Sequence, residues 1–337
     1  MYHYNYVVFN SWDNNSLRRN ENGYYTICLK DLERMKDVLV VSYPVDQACF
    51  LMRFLFAFHN SERINNYVNL PFKDIWFSKY FKMRHTVDKP LCFVMMEPKI
   101  SVDYFAYLRK KYSGCKIVAV YRDFLKVYYT RNPQWKKENI FDLQFSYDRA
   151  EAEKERMCFF DEFESKINIK QSESYPKCDV FFAGKAKDRL ETILKVCKKL
   201  TDTGYNCNFF ITHADENEKK KMPGVVYLDH DFSYYEMLSR SINAKCLLDI
   251  NQKGAVGYTS RFLEAVMYNK KLITNNRAIL ESKFYKSDRI MLIDSVDDLD
   301  PTFIDDSPVD YNYNNEFSPI HLINSIDNEL ERRLDLK

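Results

Sequence analysis

Residues 179–190 read DVFFAGKAKDRL, and residues 252–265 read QKGAVGYTSRFLEA. In the first, the apolar run Asp179–Ala183 stops at Gly184. Apolar residues then recur at Leu190, Ile193, Leu194, Cys197 and Leu200. That pattern predicts a buried strand, a tight turn and an amphipathic helix over Lys187–Thr201. In the second, a glycine-containing turn follows the apolar run Lys245–Ile250 and opens a helix over Ser260–Tyr268. Strand followed by helix, repeated, predicts parallel strands joined by crossover helices: a doubly wound α/β sheet.

The alternation extends in both directions. Cys207–Thr212, Val225–Leu228, Lys271–Thr274 and Ile290–Ile293 read as further strands, and Ser233–Ser241 as a helix. Residues 150–177, AEAEKERMCFFDEFESKINIKQSESYPK, are charged and polar, lack a clear strand, and read as a linker ending near Pro176. Before it, Tyr6–Phe9, Val38–Ser42, Leu91–Met96, Lys116–Tyr121 and Phe141–Ser146 read as strands, the last closing its set. Helices are expected at Gln47–Arg63 and Val102–Tyr112, and a final amphipathic helix at Pro319–Leu334. The expected organisation is an N-terminal Rossmann-like domain over 1–150, a linker over 151–177, a second Rossmann-like domain over 178–317, and a C-terminal helix over 318–337.

Composition agrees with two packed cores. The chain has 337 residues, 46% of them hydrophobic and 16% aromatic, and domains average about 150 residues. A net charge of +2 gives no case for nucleic acid as a partner. The nine cysteines are scattered, without C-x-x-C or metal spacing, which favours buried reduced thiols in a cytosolic protein over disulfides or zinc. The opening MYHYNYVVFNSWDNN lacks the apolar run of a signal peptide. The longest apolar stretch, Ala48–Phe58, is interrupted by Arg53 and is about half a membrane span. A cytoplasmic protein is expected, attached at most to the inner face of the membrane. Only 7 glycines are present, and five fall between Gly184 and Gly257, so they are expected where the backbone has a special need.

Two chemistries fit the stretch at 252–265. Gly254 and Gly257 allow a tight turn and close backbone approach. The helix start offers free N–H groups and a positive dipole end, while Thr259 and Ser260 suit capping or phosphate contacts and Arg261 suits a diphosphate. Glu264 suits ribose hydroxyls. By spacing alone, a merely capped helix with a first-turn acid stays open beside the phosphate site. In GKAKDRL, the cations Lys185, Lys187 and Arg189 crowd the start of a helix. They oppose its dipole unless an anion compensates, though three solvated side chains on a surface turn are the simpler account of this stretch alone. Both stretches lie at strand carboxyl ends, the edge where open α/β sheets bind ligands.

DVFFAGKAKDRL, FSYYEMLSRSINAKCLLDIN and GYTSRFLEAVMYNKKLITNN, in that order, resemble the C-terminal domain of GT-B-fold glycosyltransferases. The bacterial enzymes that build capsule, lipopolysaccharide or exopolysaccharide are the most similar. The resemblance covers residues 178–280, and the N-terminal half only in architecture. It implies two Rossmann-like domains facing across a cleft. The second would bind a nucleotide-diphosphate sugar (a UDP- or GDP-sugar), and the first a glycan or lipid-linked glycan acceptor, with no other cofactor. Glu264-Ala265 matches the second Glu of the family's Glu-x7-Glu element, which binds the donor ribose; the first falls on Val256. Lys185 and Arg189 would hold the diphosphate. Gly184, Gly257 and Tyr258 would border the donor, and the loop Asn251–Gly254 would run beneath it. Tyr234 or Tyr235 would stack on the base. The final helix would pack back toward the N-terminal domain. The leaving diphosphate would be stabilised by side-chain cations and a helix dipole, so no metal is required.

In the N-terminal half, Asp46, Glu97 and Asp123 follow or end strands, and Glu97 or Asp123 is the candidate general base of an inverting transfer or, in a retaining one, the contact that stabilises the departing sugar; His59 and His85 are lesser candidates. Phe72–His85 interleaves aromatics with Lys and Arg, which suits either peripheral contact with an anionic membrane or a partly buried helix with a cationic face. Asp298 and Asp300 form a D-x-D pair off any nucleotide strand and are set aside as metal ligands. Two alternatives remain: a non-catalytic nucleotide-sugar-binding partner of another transferase, motivated by Val256, and a GT-B-fold epimerase.

Overall fold

The computed structural model describes residues 2–10, 23–41, 49–59, 61, 64, 67–68, 70–83, 88–96, 100, 102–137, 139–171 and 173–335. The chain divides into two compact units. Met1–Ser165 with Ser318–Lys337 forms the first, and Lys166–Phe317 the second. The fold is α/β, with one six-stranded parallel sheet in each unit.

The first sheet holds β1 (Asn5–Phe9), β2 (Val38–Val41), β3 (Leu91–Met95), β4 (Lys116–Tyr121), β5 (Leu143–Ser146) and β6 (Cys158–Phe159) in the order β2-β1-β3-β4-β5-β6. Its strands are apolar at consecutive positions because both faces are covered. Val7, Phe9, Phe93, Met95 and Ile117 point into one layer, while Tyr6, Val8, Cys92, Val94 and Val118 point into the other. The second layer is covered by Cys28, Leu29, Leu32 and Phe163 together with the helix Ile320–Asp335, which buries Leu322, Ile323, Ile326 and Leu330 there. Its Asp327 accepts a hydrogen bond from the Tyr6 hydroxyl at 2.6 Å and from the His3 backbone N–H at 3.1 Å. β6 lies in the stretch that reads as linker, and two residues are too few to show a period in sequence. β5 starts at Leu143, two residues later than the sequence suggests; just before it, the Asp142 N–H donates to the Ile117 carbonyl at 2.8 Å and the Asp142 carboxylate accepts from the Ile117 N–H at 2.9 Å.

The second sheet holds β7 (Cys178–Lys185), β8 (Cys207–Thr212), β9 (Val225–Leu228), β10 (Ala244–Asp249), β11 (Lys271–Thr274) and β12 (Ile290–Leu292) in the order β12-β11-β10-β7-β8-β9. The chain winds outward from β7 through β9, returns to place β10 on the other side of β7, and winds outward again. Phe181 and Leu247 are directly paired across the reversal. The helix after β7 begins at Leu190, not Lys187. Lys187–Arg189 form a single 3-10 turn, entered with Lys187 at φ 46°, and the helix proper runs Leu190–Asp202. Its apolar stripe, including Ile193, Leu194, Cys197 and Leu200, packs on β7, β8 and β10. All nine cysteines are free, and seven are buried.

Candidate functional site

The carboxyl ends of β7 and β10 flank the point where strand order reverses, which is where such sheets open a crevice. A cavity of about 250 Å³ lies there, lined by Phe182, Lys187, Arg189, Asp249, Thr259 and Arg261 among others. Two loops build it. The turn after β7 brings Lys187 and Arg189. The loop after β10 brings Gln252, Ala255 and the start of the helix Ser260–Met267.

Each loop is fixed by its own bonds. Gly254 and Gly257 sit at φ 80° and 70°, conformations that cost an L side chain about 1–2 kcal/mol. The Lys253 N–H donates to Asp188 at 3.0 Å, and the Lys187 ammonium to Gln252 at 2.6 Å, so the two loops hold each other. Lys187 takes its positive φ without being glycine, a local strain of the kind found where a side chain must be aimed. Asn276 donates to the Gly257 carbonyl at 2.9 Å. Thr259 is the helix N-cap, accepting from the Phe262 N–H at 3.1 Å. The Thr259 hydroxyl in turn donates to Asp249 at 2.8 Å.

The charges are unevenly solvated. Arg189 donates to the carbonyl of Ile250 and to that of Lys185, and burial pulls its guanidinium below the ordinary arginine range. An anion in the cavity would offset that loss of hydration. Asp249 ends β10, is buried, and also accepts from the Thr274 hydroxyl at 3.2 Å. Burial raises its carboxyl above the usual carboxylate range, against the opposing pull of Thr259, Arg261 and Arg189. Glu264 has no exposed surface. It accepts from the Tyr234 hydroxyl at 2.9 Å and pairs with Arg261, which also donates to the Ala183 carbonyl at 3.2 Å. Burial raises the Glu264 carboxyl too, opposed first by Arg261 and then by the Tyr234 hydroxyl.

The residues expected from sequence thus fall into groups. Arg189, Thr259, Ser260 and Arg261 line the cavity. Gly254 and Gly257 shape its loop. Gly184 leaves room for Arg189, since a Cβ there would meet the guanidinium at 3.2 Å. Glu264 lies behind Arg261, sealed from water. Tyr258 packs its ring on Phe262 with centroids 4.9 Å apart. Lys185 is not among the residues that line the cavity; it is half exposed, 3.7 Å from Asp231, while Lys187 lines the cavity. Asp249 was not singled out in sequence, although an acid ending the apolar run KCLLD carries the signal.

In the first unit, Asp46, Glu97 and His85 lie outside the described residues. Asp123 is exposed just after β4, its carboxylate accepting from the Phe124 N–H at 2.8 Å. His59 is tied to structure, its Nδ1 accepting from the Trp76 indole at 2.8 Å. The neighbour of Asp123, Arg122, has a buried side chain: it pairs with Glu162, donates to the Tyr24 hydroxyl at 2.6 Å and lies 4.3 Å from the Phe163 ring centre. Asp298 and Asp300 cap short turns, Asp298 accepting from the Ser295 N–H at 2.7 Å and Asp300 from the Thr302 N–H at 2.9 Å. Among the described residues, no helix is long and apolar enough to cross a membrane.

No protein-family profile matches the chain, and no curated protein matches it. Solved structures similar to it include a glycosylation-associated protein complex (Gap123) from Streptococcus agalactiae, at 10% identity and TM-score 0.44, covering 78% of this chain and 57% of that one. Another is an α,α-trehalose 6-phosphate synthase from Burkholderia multivorans, at 9% identity and TM-score 0.48, covering 100% and 95%. A third is a glycosyltransferase of kitacinnamycin, at 10% identity and TM-score 0.42, covering 100% and 96%. The chain therefore spans little more than half the length of the first.

Proposed function

We propose that the Lys166–Phe317 unit binds a nucleoside diphosphate sugar and that the chain transfers the sugar to a hydroxyl of a glycan acceptor. The cavity where strand order reverses carries this reading, because three cations, Lys187, Arg189 and Arg261, meet there at a helix N-terminus. At about 250 Å³ it is smaller than the 300–1,000 Å³ typical of whole-ligand sites. It suits the diphosphate, with base and sugar lying to either side. In the transfer, the acceptor oxygen bonds to the anomeric carbon and the bond from that carbon to the diphosphate oxygen breaks. The electron pair leaves on the diphosphate, whose charge the cations and the helix dipole stabilise without reorganising. The hydroxyl proton passes to a carboxylate, for which Glu97 and Asp123 are the candidates. The donor proposed is a UDP- or GDP-sugar. The acceptor proposed is a glycan or lipid-linked glycan of bacterial surface-polysaccharide synthesis, met at the cytoplasmic side of the membrane.

A thermal-shift series with UDP, GDP, CMP and their sugars tests the binding step. The diphosphates should raise the melting temperature more than CMP; no shift with any of them removes the nucleotide site. One observation favours a second reading, a nucleotide-sugar-binding partner without its own transfer: Val256, 38% exposed, stands where the resembled family has its first donor-contacting Glu. Release of free UDP or GDP in the presence of a glycan acceptor supports transfer, whereas donor binding with no release across an acceptor panel supports the partner role.

A further inference from the structure

The helix Phe50–His59, FLMRFLFAFH, is apolar at every position except Arg53 and His59. It packs by one stripe only. Phe56 is 1% exposed, its ring 5.2 Å from that of Trp76 and 6.0 Å from that of Tyr80, and the Trp76 indole donates to His59 at 2.8 Å. Four of its apolar side chains face water: Phe50 is 78% exposed, Leu51 63%, Phe54 57% and Phe58 41%. The segment beneath the helix adds Phe72 at 74% and Ile75 at 50%. A phenylalanine side chain presents about 150–250 Å² when fully exposed, so the four phenylalanines alone leave on the order of 500 Å² of aromatic surface in solvent. Patches of that size mark interaction sites, and a helix apolar on all sides is one that something covers.

The charges around the patch say what covers it. Residues 70–83 carry Lys73, Lys79 and Lys82 against the single acid Asp74, a net charge of +2. Lys79 is exposed with its ammonium 5.0 Å from the Trp76 ring centre, and Lys82 is exposed beside it. Lysine is depleted from protein–protein interfaces. Exposed phenylalanine and leucine bordered by lysine, with one acid among the described residues 70–83, instead match an anionic bilayer: acyl chains for the rings, headgroup phosphates for the ammonium groups.

We propose that the chain docks peripherally on an anionic membrane, with Phe50–His59 as the element that enters the bilayer. The basic segment Phe72–Met83 serves as its electrostatic collar. Phe54 and Phe58 lie among the upper acyl chains, and Lys79 and Lys82 sit on the phosphates. This inference stands apart from the reading of the nucleotide cavity, since it uses none of that cavity's residues.

Co-sedimentation of the full chain with vesicles tests it. The protein should pellet with vesicles of phosphatidylcholine plus phosphatidylglycerol and at least tenfold less with phosphatidylcholine alone, and added salt should weaken the binding. Phe54→Ser with Phe58→Ser, and separately Lys79→Glu with Lys82→Glu, should each cut binding by at least tenfold. Because all four side chains are exposed, both double variants should keep the parent's circular-dichroism melt and UDP-induced thermal shift. Failure of the parent to bind the anionic vesicles, or binding that persists in both variants, overturns the proposal. So does patch-dependent dimerisation in light scattering without vesicle binding, which would make a second copy the occupant.

Discussion

A carboxylate with no contact to water survives only if both oxygens are bonded. Glu264 meets that condition through Tyr234 and Arg261. The same bonds bear on its assigned role, because a ribose hydroxyl reaching Glu264 would have to replace one of them. Removing the side chain strands the Arg261 charge, and breaking a buried pair costs about 3–5 kcal/mol. Glu264→Ala should therefore lower stability by that order in urea melts and weaken UDP binding by calorimetry. Glu264→Gln keeps an acceptor for the Tyr234 hydroxyl and should lose less. Unchanged affinity in a folded Glu264→Ala protein would remove the ribose contact. Asp249 gives a pH signature. Its folded carboxyl is raised by burial, so the stability it contributes is complete below the unfolded value and is lost as pH rises through the folded one. Asp249→Asn carries no such loss. The melting temperature of the variant minus that of the parent should grow from about pH 4 to pH 7. Parallel curves would mean that Asp249 is not held above its ordinary range.

At the scale of elements, the strands that build the cavity were legible in sequence because they are buried on both faces and read as unbroken apolar runs. DVFFA and KCLLDI fall on β7 and β10. The turn between β7 and its helix was less legible. The three-residue 3-10 turn at Lys187–Arg189 has too few residues to show a period, so the pattern places the helix start at Lys187, three residues before Leu190. The Glu264–Tyr234 bond spans 30 residues and leaves no local trace. Gly184 shows the turn's geometry at work. Its φ is not in the left-handed region, so its need is space: an added Cβ would stand 3.2 Å from the Arg189 guanidinium and 3.3 Å from the Phe182 ring. The guanidinium is the flexible neighbour and should yield. Gly184→Ala should then keep nearly the parent's melting temperature yet weaken UDP binding about tenfold, the loss expected of one displaced charge-assisted hydrogen bond. A titration with unchanged affinity would take Arg189 out of the anion site.

At the scale of the molecule, the first unit is not contiguous in sequence. Residues 318–337 return to it after the whole of the second unit has been traced. The amphipathic period of the last helix is legible in its residues, whereas its place is implied only by the resemblance, because periodicity says which face is buried and not against what. The partners are particular: Leu322, Ile323, Ile326 and Leu330 fill the layer under Tyr6, Val8, Val94 and Phe145, and Asp327 accepts from the Tyr6 hydroxyl. The helix supplies four buried side chains to a layer that also holds Cys28, Leu29, Leu32 and Phe163, and that layer loses packing when the helix is hollowed. Ile326 is fully buried, and truncating a buried isoleucine to alanine costs about 2–5 kcal/mol. Ile326→Ala should lower the stability of the first unit by that order while leaving UDP affinity unchanged, since no residue lining the cavity beside β7 and β10 belongs to that layer. Urea denaturation followed through the far-ultraviolet signal, paired with a UDP titration of the same sample, separates the two quantities. A melt indistinguishable from the parent would mean that the final helix does not close the first unit, and the packing of that helix would have to be redrawn.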